Sequence, residues 1–357
     1  MATHVSSGSL PAHLEEQRTR MFVKGAAPVH TSTVESAGAY LASGLENSFS
    51  LSRFKQDFRV EVQKLTSEEI VFDLIGIDAA LANAFRRILL AEVPTMAIEK
   101  VFILNNTSMI QDEVLAHRLG LIPIRADPRQ FDLRQKDEDA CETNVISFRL
   151  QVRCAKAAGT EGAAAGDIVG GRVTSGDLEW FPQGSQEEKF ATNPISPVHD
   201  DILIAKLRPG QEIELEAWCE KGVGKTHAKW SPVCTASYRL LPEIRLPKPL
   251  DAAGAQALPM PQAGPPINLF DAGACAGGVP TATRPRGCTM CRGCVKQPGW
   301  EDSVQLARIK DHFIFSVEST GALPPETLFQ EAIKVLMQKA ADIATLLGDA
   351  TAGQPSS

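Results

Sequence analysis

The sequence predicts an α+β fold, and three observations carry that prediction. Short segments that alternate apolar and polar residues recur along the chain, at Phe58–Gln63, Val145–Val152, Ile213–Ala217 and Phe313–Val317, the period of half-buried strands. Two amphipathic helical stretches, near residues 78–91 and 325–348, stand far apart in the sequence. Between the later strands a stretch dense in Pro, Gly and Ala, Pro247–Pro285, leads into a cluster of cysteines.

Length and composition narrow the function classes. With 357 residues the chain is long enough for two or three domains with cores. It is 43% hydrophobic and 22% charged, and no apolar run reaches the roughly 18–20 residues of a membrane span. The first residues lack the basic and apolar regions of a secretory signal, so an intracellular soluble protein is expected. A net charge of −7 argues against a protein that holds nucleic acid by itself, which needs a basic face to displace counterions.

In chain order, residues 1–50 are rich in Ser, Ala, Gly and Thr without an apolar period, and a disordered extension is expected there. Phe58, Val60 and Val62 then alternate with charged neighbours, Thr66–Glu69 makes a polar turn, and Ile70–Leu74 returns as the second strand of a hairpin. Asp78 can cap a helix with Leu81, Phe85, Ile88 and Leu89 on one face and Arg86 and Arg87 leaving it side by side. Pro94 closes that element before an apolar strand at Val101–Leu104. Ser108 or Gln111-Asp112 opens a short helix carrying Val114, Leu115 and Leu119, with Gly120 as its stop. Ile146, Phe148, Leu150 and Val152, then Ile213, Leu215 and Ala217, are strands of a mainly β region. The Ala/Gly-rich stretch Ala155–Gly171 reads as a loose insertion. Near the end, Pro325 suits the first turn of a helix and Glu326 its dipole. Phe329, Ile333, Leu336, Ala340, Ile343 and Leu347 step by four and three, and Gly348 is expected to end the element.

Two catalytic readings fail. His117 and Arg118 share a helix but have no nearby nucleophile or second ligand, so His117 is read as structural. Gly224-Lys225-Thr226 imitates the end of a phosphate loop, yet position 219, where the opening glycine would stand, is Cys. The heptad stripe is either a core face or an interhelical seam; Ala332, Ala340 and Ala344 beside it allow close approach and favour the seam.

The eight cysteines are uneven. Cys141, Cys154, Cys219 and Cys234 are scattered and read as buried thiols, whereas Cys275, Cys288, Cys291 and Cys294 lie close together. Cys288, Cys291 and Cys294 form a C-x2-C-x2-C run, which suits metal binding before disulfides. The fourth Cys of a ferredoxin-type motif is missing, because Pro298 stands there. Three readings stay open: an iron–sulfur cluster on three thiolates, zinc with Cys275 as fourth ligand, or an empty relic.

The run Ile77–Val101 (IDAALANAFRRILLAEVPTMAIEKV), with SMIQDEVLAHRLGLIPI from Ser108, the Lys229-Trp230-Ser231-Pro232-Val233 string and the Phe329–Leu347 stripe, resembles the alpha-like subunits of multisubunit RNA polymerases. The resemblance covers about residues 54–348 in the family's order. It implies a discontinuous dimerisation domain of sheet and long helices over 54–100 and 308–348. It also implies an inserted mainly β domain over 101–245 and 301–307, a ferredoxin-like insert over 246–300, and a tail over 349–357. A partner interface is implied for Phe85, Ile88 and Leu89 with Phe329, Ile333, Leu336, Ala340, Ile343 and Leu347. Arg86 and Arg87 would ordinarily be solvated helix charges; the resemblance implies that they dock the second-largest polymerase subunit, Arg87 above all.

Within the family, the polymerase II version carries four cysteines early in the second domain, and none occurs here between Val101 and Ile124. The bacterial version adds a DNA-binding domain after the terminal helix, and the archaeal version is shorter at its N-terminus. The implied member is therefore the eukaryotic subunit shared by polymerases I and III. It would be a nuclear, non-catalytic assembly platform that pairs with a smaller alpha-like subunit, requires no cofactor and makes no direct nucleic-acid readout. A polymerase II or archaeal member is the near alternative. An iron–sulfur redox carrier is the alternative of another class, and it leaves the Asn83–Leu90 helix and the stripe unexplained.

Overall fold

The computed structural model describes residues 10–32, 48–156, 168–247, 270–271, 281–282, 284–296 and 303–352. In chain order its main elements are α1 (Ala12–Thr19), β1 (Arg20–Val23), α2 (Leu51–Asp57), β2 (Arg59–Leu65), β3 (Glu69–Ile75), α3 (Ala79–Ala91) and β4 (Pro94–Asn106). They continue with α4 (Asp112–Gly120), β5 (Val145–Arg153), β6 (Glu179–Phe181), β7 (Leu203–Lys206), β8 (Glu212–Val223), β9 (Val233–Arg245), β10 (Gln305–Ser319) and α5 (Pro325–Ala352). The fold is α+β, as expected. No helix among the described residues is long and apolar enough to cross a membrane.

The described residues fall into two compact units. The first comprises Met1–Lys64, Val71–Ala84 and Ser237–Ser316; the second comprises Leu65–Ile70, Phe85–Ala236 and Val317–Ser357. The first is built on a sheet ordered Pro28–Val29, β1, β10, β3, β2, with β9 also paired to β10. Its core is aromatic: Phe72 stacks on Phe315 with centroids 5.4 Å apart, and Tyr238 meets Phe313 edge-on at 5.3 Å. Gly76 turns the chain out of β3 with φ +74°, where a Cβ would lie 2.7 Å from the Asp57 carbonyl oxygen, so only glycine fits.

The second unit holds a four-stranded antiparallel sheet ordered β6, β5, β8, β4. In β8, Ile213, Leu215, Ala217 and Cys219 point inward, the alternation expected from the sequence. They join Ile146, Phe148 and Leu150 of β5 and Leu115 and Leu119 of α4 in one continuous core.

Four expectations are corrected. Of the scattered cysteines, Cys154 and Cys219 are buried as expected, but Cys141 and Cys234 are exposed. Residues 1–50 are not all irregular: α1 and β1 form, and β1 pairs antiparallel with β10, Phe22 opposite Ala307. The reason is burial, since Phe22 and Val23 are each 8% exposed once that pairing is made. Residues 1–9 and 33–47 of that stretch lie outside the described residues, as do 157–167 of the Ala/Gly-rich insertion. Val60 and Val62 are not half-buried, for β2 ends the sheet and all seven of its residues are exposed. Gly348 does not end the last helix, which runs on to Ala352; this glycine takes no positive φ, and helix-forming neighbours outweigh its intrinsic cost of about 1 kcal/mol.

Candidate subunit interface

Helix α3 begins where the sequence placed it. The Ala80 amide donates to Asp78 Oδ1 at 2.8 Å and the Ala82 amide to the Asp78 carbonyl at 3.1 Å, the pattern of an N-cap. Pro94 opens β4 directly, so that strand is longer than the expected Val101–Leu104.

In the second unit, α3 and α5 divide the expected interface residues into two sets. Ile88 and Leu89 are buried to 2% and 0% exposure within the chain itself, as are Leu328 and Ala332 of α5, both 0%. Phe85 packs on Phe329, ring centroids 5.3 Å apart and tilted by 55°. Leu336 is half-buried. The Phe85–Phe329 contact seats α5 against α3, and Ile88 and Leu89 are covered within the chain itself. Two ion pairs flank the seat: Lys339 reaches both Glu92 carboxylate oxygens at 2.9 Å, and Arg129 lies 3.6 Å from Glu331. Such exposed pairs contribute at most about 1 kcal/mol each, so apolar packing holds the base of the helix.

Beyond the seat the helix is uncovered. Ile333 is 37% exposed, Met337 66%, Ile343 59%, Leu346 67% and Leu347 63%, and Ala340 is also exposed. Met337 and Leu346 were missed by the sequence reading. For Met337 the signal was present as a second row, Ile333, Met337, Ala340, Ala344, Leu347, also stepping by four and three and rotated slightly around the helix. Of the two arginines, Arg86 is half-buried and Arg87 exposed.

The other strings that the sequence singled out are structural. Arg118 donates to the carbonyls of Leu203 at 2.6 Å and Ile204 at 3.0 Å, tying α4 to β7. His117 meets only the His227 ring among its described ring contacts, at 6.3 Å. Lys229 bonds the Ile98 carbonyl at 2.8 Å and pairs with Glu99, while Trp230 Nε1 donates to the Glu220 carbonyl at 3.0 Å. A Cβ on Gly224 would collide with the Leu90 carbonyl, and the Lys225 amide donates to the Ala91 carbonyl at 2.8 Å. The Gly-Lys-Thr string is therefore a turn fitted against the end of α3, with no phosphate cradle.

The cysteine run belongs to the first unit. Cys288 is buried, Cys294 half-buried and Cys291 exposed; Cys275 lies outside the described residues. Met290 and Arg292 take positive φ of 59° and 66°, and the Met290 amide approaches Cys288 Sγ at 3.5 Å. Burial raises the Cys288 thiol, and burial with its neighbours Cys288 and Cys291 pushes Cys294 up to about 11. Among the described residues no three His, Cys, Asp or Glu side chains gather closely enough to hold a metal.

An exposed apolar stripe on a helix seated at one end marks a surface for association with another chain. The sequence match gives the class its name: residues 71–340 match the RNA polymerase Rpb3/Rpb11 dimerisation domain, and the chain belongs to that family. A human relative, subunit RPAC1 of DNA-directed RNA polymerases I and III, is 48% identical over 330 residues, 91% of this chain and 94% of the relative. The corresponding rpac1 of Dictyostelium discoideum is 44% identical over 336 residues, 94% of each chain. Subunit rpb3 of DNA-directed RNA polymerase II from the same organism is 35% identical over 301 residues, 82% of this chain and 96% of the relative.

Proposed function

We propose that this chain is the alpha-like subunit shared by RNA polymerases I and III. In that role it is a nuclear, non-catalytic platform for the transcription of rRNA, 5S rRNA and tRNA, working in the nucleolus and nucleoplasm. The observation that carries the reading is identity: 48% to the human polymerase I and III subunit, against 35% to a polymerase II subunit. The net charge of −7 agrees with a subunit that reaches nucleic acid only through others.

The exposed half of α5 is the surface for a smaller alpha-like subunit. Ile333, Met337, Ala340, Ile343, Ala344 and Leu347 offer a seam with small residues interleaved, suited to a second helix packed at close range. Phe85, Ile88, Leu89 and Phe329 set the angle of that helix from within. Arg87, exposed beside them, docks the second-largest subunit through its planar guanidinium. The discontinuous dimerisation domain, the inserted β domain and the ferredoxin-like insert are the divisions this role assigns to the chain. The role requires no cofactor, and no step of it runs through an iron–sulfur cluster or zinc at Cys288, Cys291 and Cys294.

The test is mass spectrometry of complexes purified from the native cell through a tag on this chain. Recovery of the largest subunits of polymerases I and III together with a small alpha-like chain supports the proposal. Recovery of polymerase II subunits instead, or of no polymerase, refutes it.

A further inference from the structure

Three arginines, two within the cysteine-bearing segment 284–296 and one on β9, tie that segment to the first unit. Arg286 forks onto Asp73 of β3, Nη2 to Oδ1 at 2.5 Å and Nη1 to Oδ2 at 2.7 Å. The Asp73 side chain is 3% exposed and also accepts a contact from His312 Nε2 of β10 at 3.1 Å. A carboxylate buried that deeply must be paired to stay charged, and Arg286 is its two-pronged partner. Arg239 of β9 reaches across to the backbone of the same segment, donating to the Arg286 carbonyl at 2.7 Å and the Cys288 carbonyl at 3.4 Å. Arg292 donates outward to the carbonyls of Gly25 and Ala26, both at 3.3 Å, in the turn after β1.

Apolar contacts complete the seat. Val295 is 8% exposed in a cluster with Val23, Val304 and Leu306, and Met290 and Cys294 pack against it. Each of these arginine hydrogen bonds runs from a protein group to a protein group, and none ends on a cysteine sulfur.

We infer that residues 284–296 form an arginine-anchored knuckle whose docking on the first unit's sheet does not depend on a metal. Small cysteine-rich loops are ordinarily held by the ion their thiolates share, and chelation releases them. Here Asp73, Arg239 and the Gly25–Ala26 turn take over that task, so the cysteine run keeps its place without an ion.

Amide hydrogen exchange on the full-length chain tests this. The protein is stripped with EDTA and 1,10-phenanthroline in the presence of dithiothreitol, and the metal content is checked by elemental analysis. Exchange in peptides covering 284–296 should stay within about twofold of the untreated protein, whereas Arg286→Ala, untreated, should accelerate it about tenfold. If Arg286→Ala does not fold, Arg239→Ala, an exposed side chain, takes its place and should accelerate the same peptides. Acceleration of about tenfold on metal removal alone overturns the inference, as does unchanged exchange in the arginine variant.

Discussion

The rings of Phe85 and Phe329 meet at 5.3 Å, and that contact marks where the last helix stops being core and becomes surface. On the α3 side of it, Ile88, Leu89, Leu328 and Ala332 are sealed within one chain. Past Leu336, the apolar side chains of the helix are exposed. A heptad stripe that looks uniform in the sequence therefore has two jobs: its first turns position the helix, and its later turns offer an apolar face.

The two halves separate by mutation. Ile343→Asp places a charge on the exposed half and should weaken association with the smaller alpha-like subunit by at least about 100-fold, roughly 3 kcal/mol. Thermal unfolding of the isolated chain should be unchanged. Gel filtration showing a normal heterodimer would remove Ile343 from the seam.

Phe85→Ala should do the opposite. Losing a half-buried ring from the seat of α5 should destabilise the chain itself by about 2–3 kcal/mol, measured by urea denaturation of the second unit's signal. An unchanged midpoint would mean that the ring contact does not hold the helix.

Arg87→Ala should leave both the fold and the heterodimer intact while weakening capture of the second-largest subunit about tenfold, roughly 1.4 kcal/mol. Full retention of that subunit in pull-downs would end the docking assignment.

Asp73 predicts an acid sensitivity in the first unit. Burial pushes its carboxyl up, but hydrogen bonds from Arg286 and His312, with the charge of both, override burial and hold it below the usual carboxylate range. A carboxyl with a depressed folded-state pKa contributes stability that is present above its unfolded value and is lost as pH falls through the folded one. Stability should therefore decline below the ordinary Asp range in the native chain. Asp73→Asn should be less stable near neutrality by about 2–3 kcal/mol and should lose less on acidification. Parallel acid titrations of the two proteins would refute this.

Much of the fold was legible because its signals are local. The Asp78 cap, the alternation of Ile213, Leu215 and Ala217, and the four-three spacing of the last helix each need only a few neighbouring residues to be read. What escaped depends on distant partners. Arg20–Val23 looked irregular because its strand partner, Leu306–Ile309, lies far down the chain. Arg118 looked chemical beside His117, yet it serves the remote backbone carbonyls of Leu203 and Ile204. For the candidate interface, periodicity showed the stripe but not its division, because the sequence does not say which turns the rest of the chain covers. Ile88 and Leu89, expected at a partner surface, are buried within the chain itself.

The most direct test of the central claim is amide hydrogen exchange over residues 337–347, measured with and without the smaller alpha-like subunit. The account predicts strong protection of that segment on mixing and little change around Phe85, Ile88 and Leu89, which are already covered. No protection at 337–347 in a complex that has formed would contradict it, and would move the seam to another face of the chain.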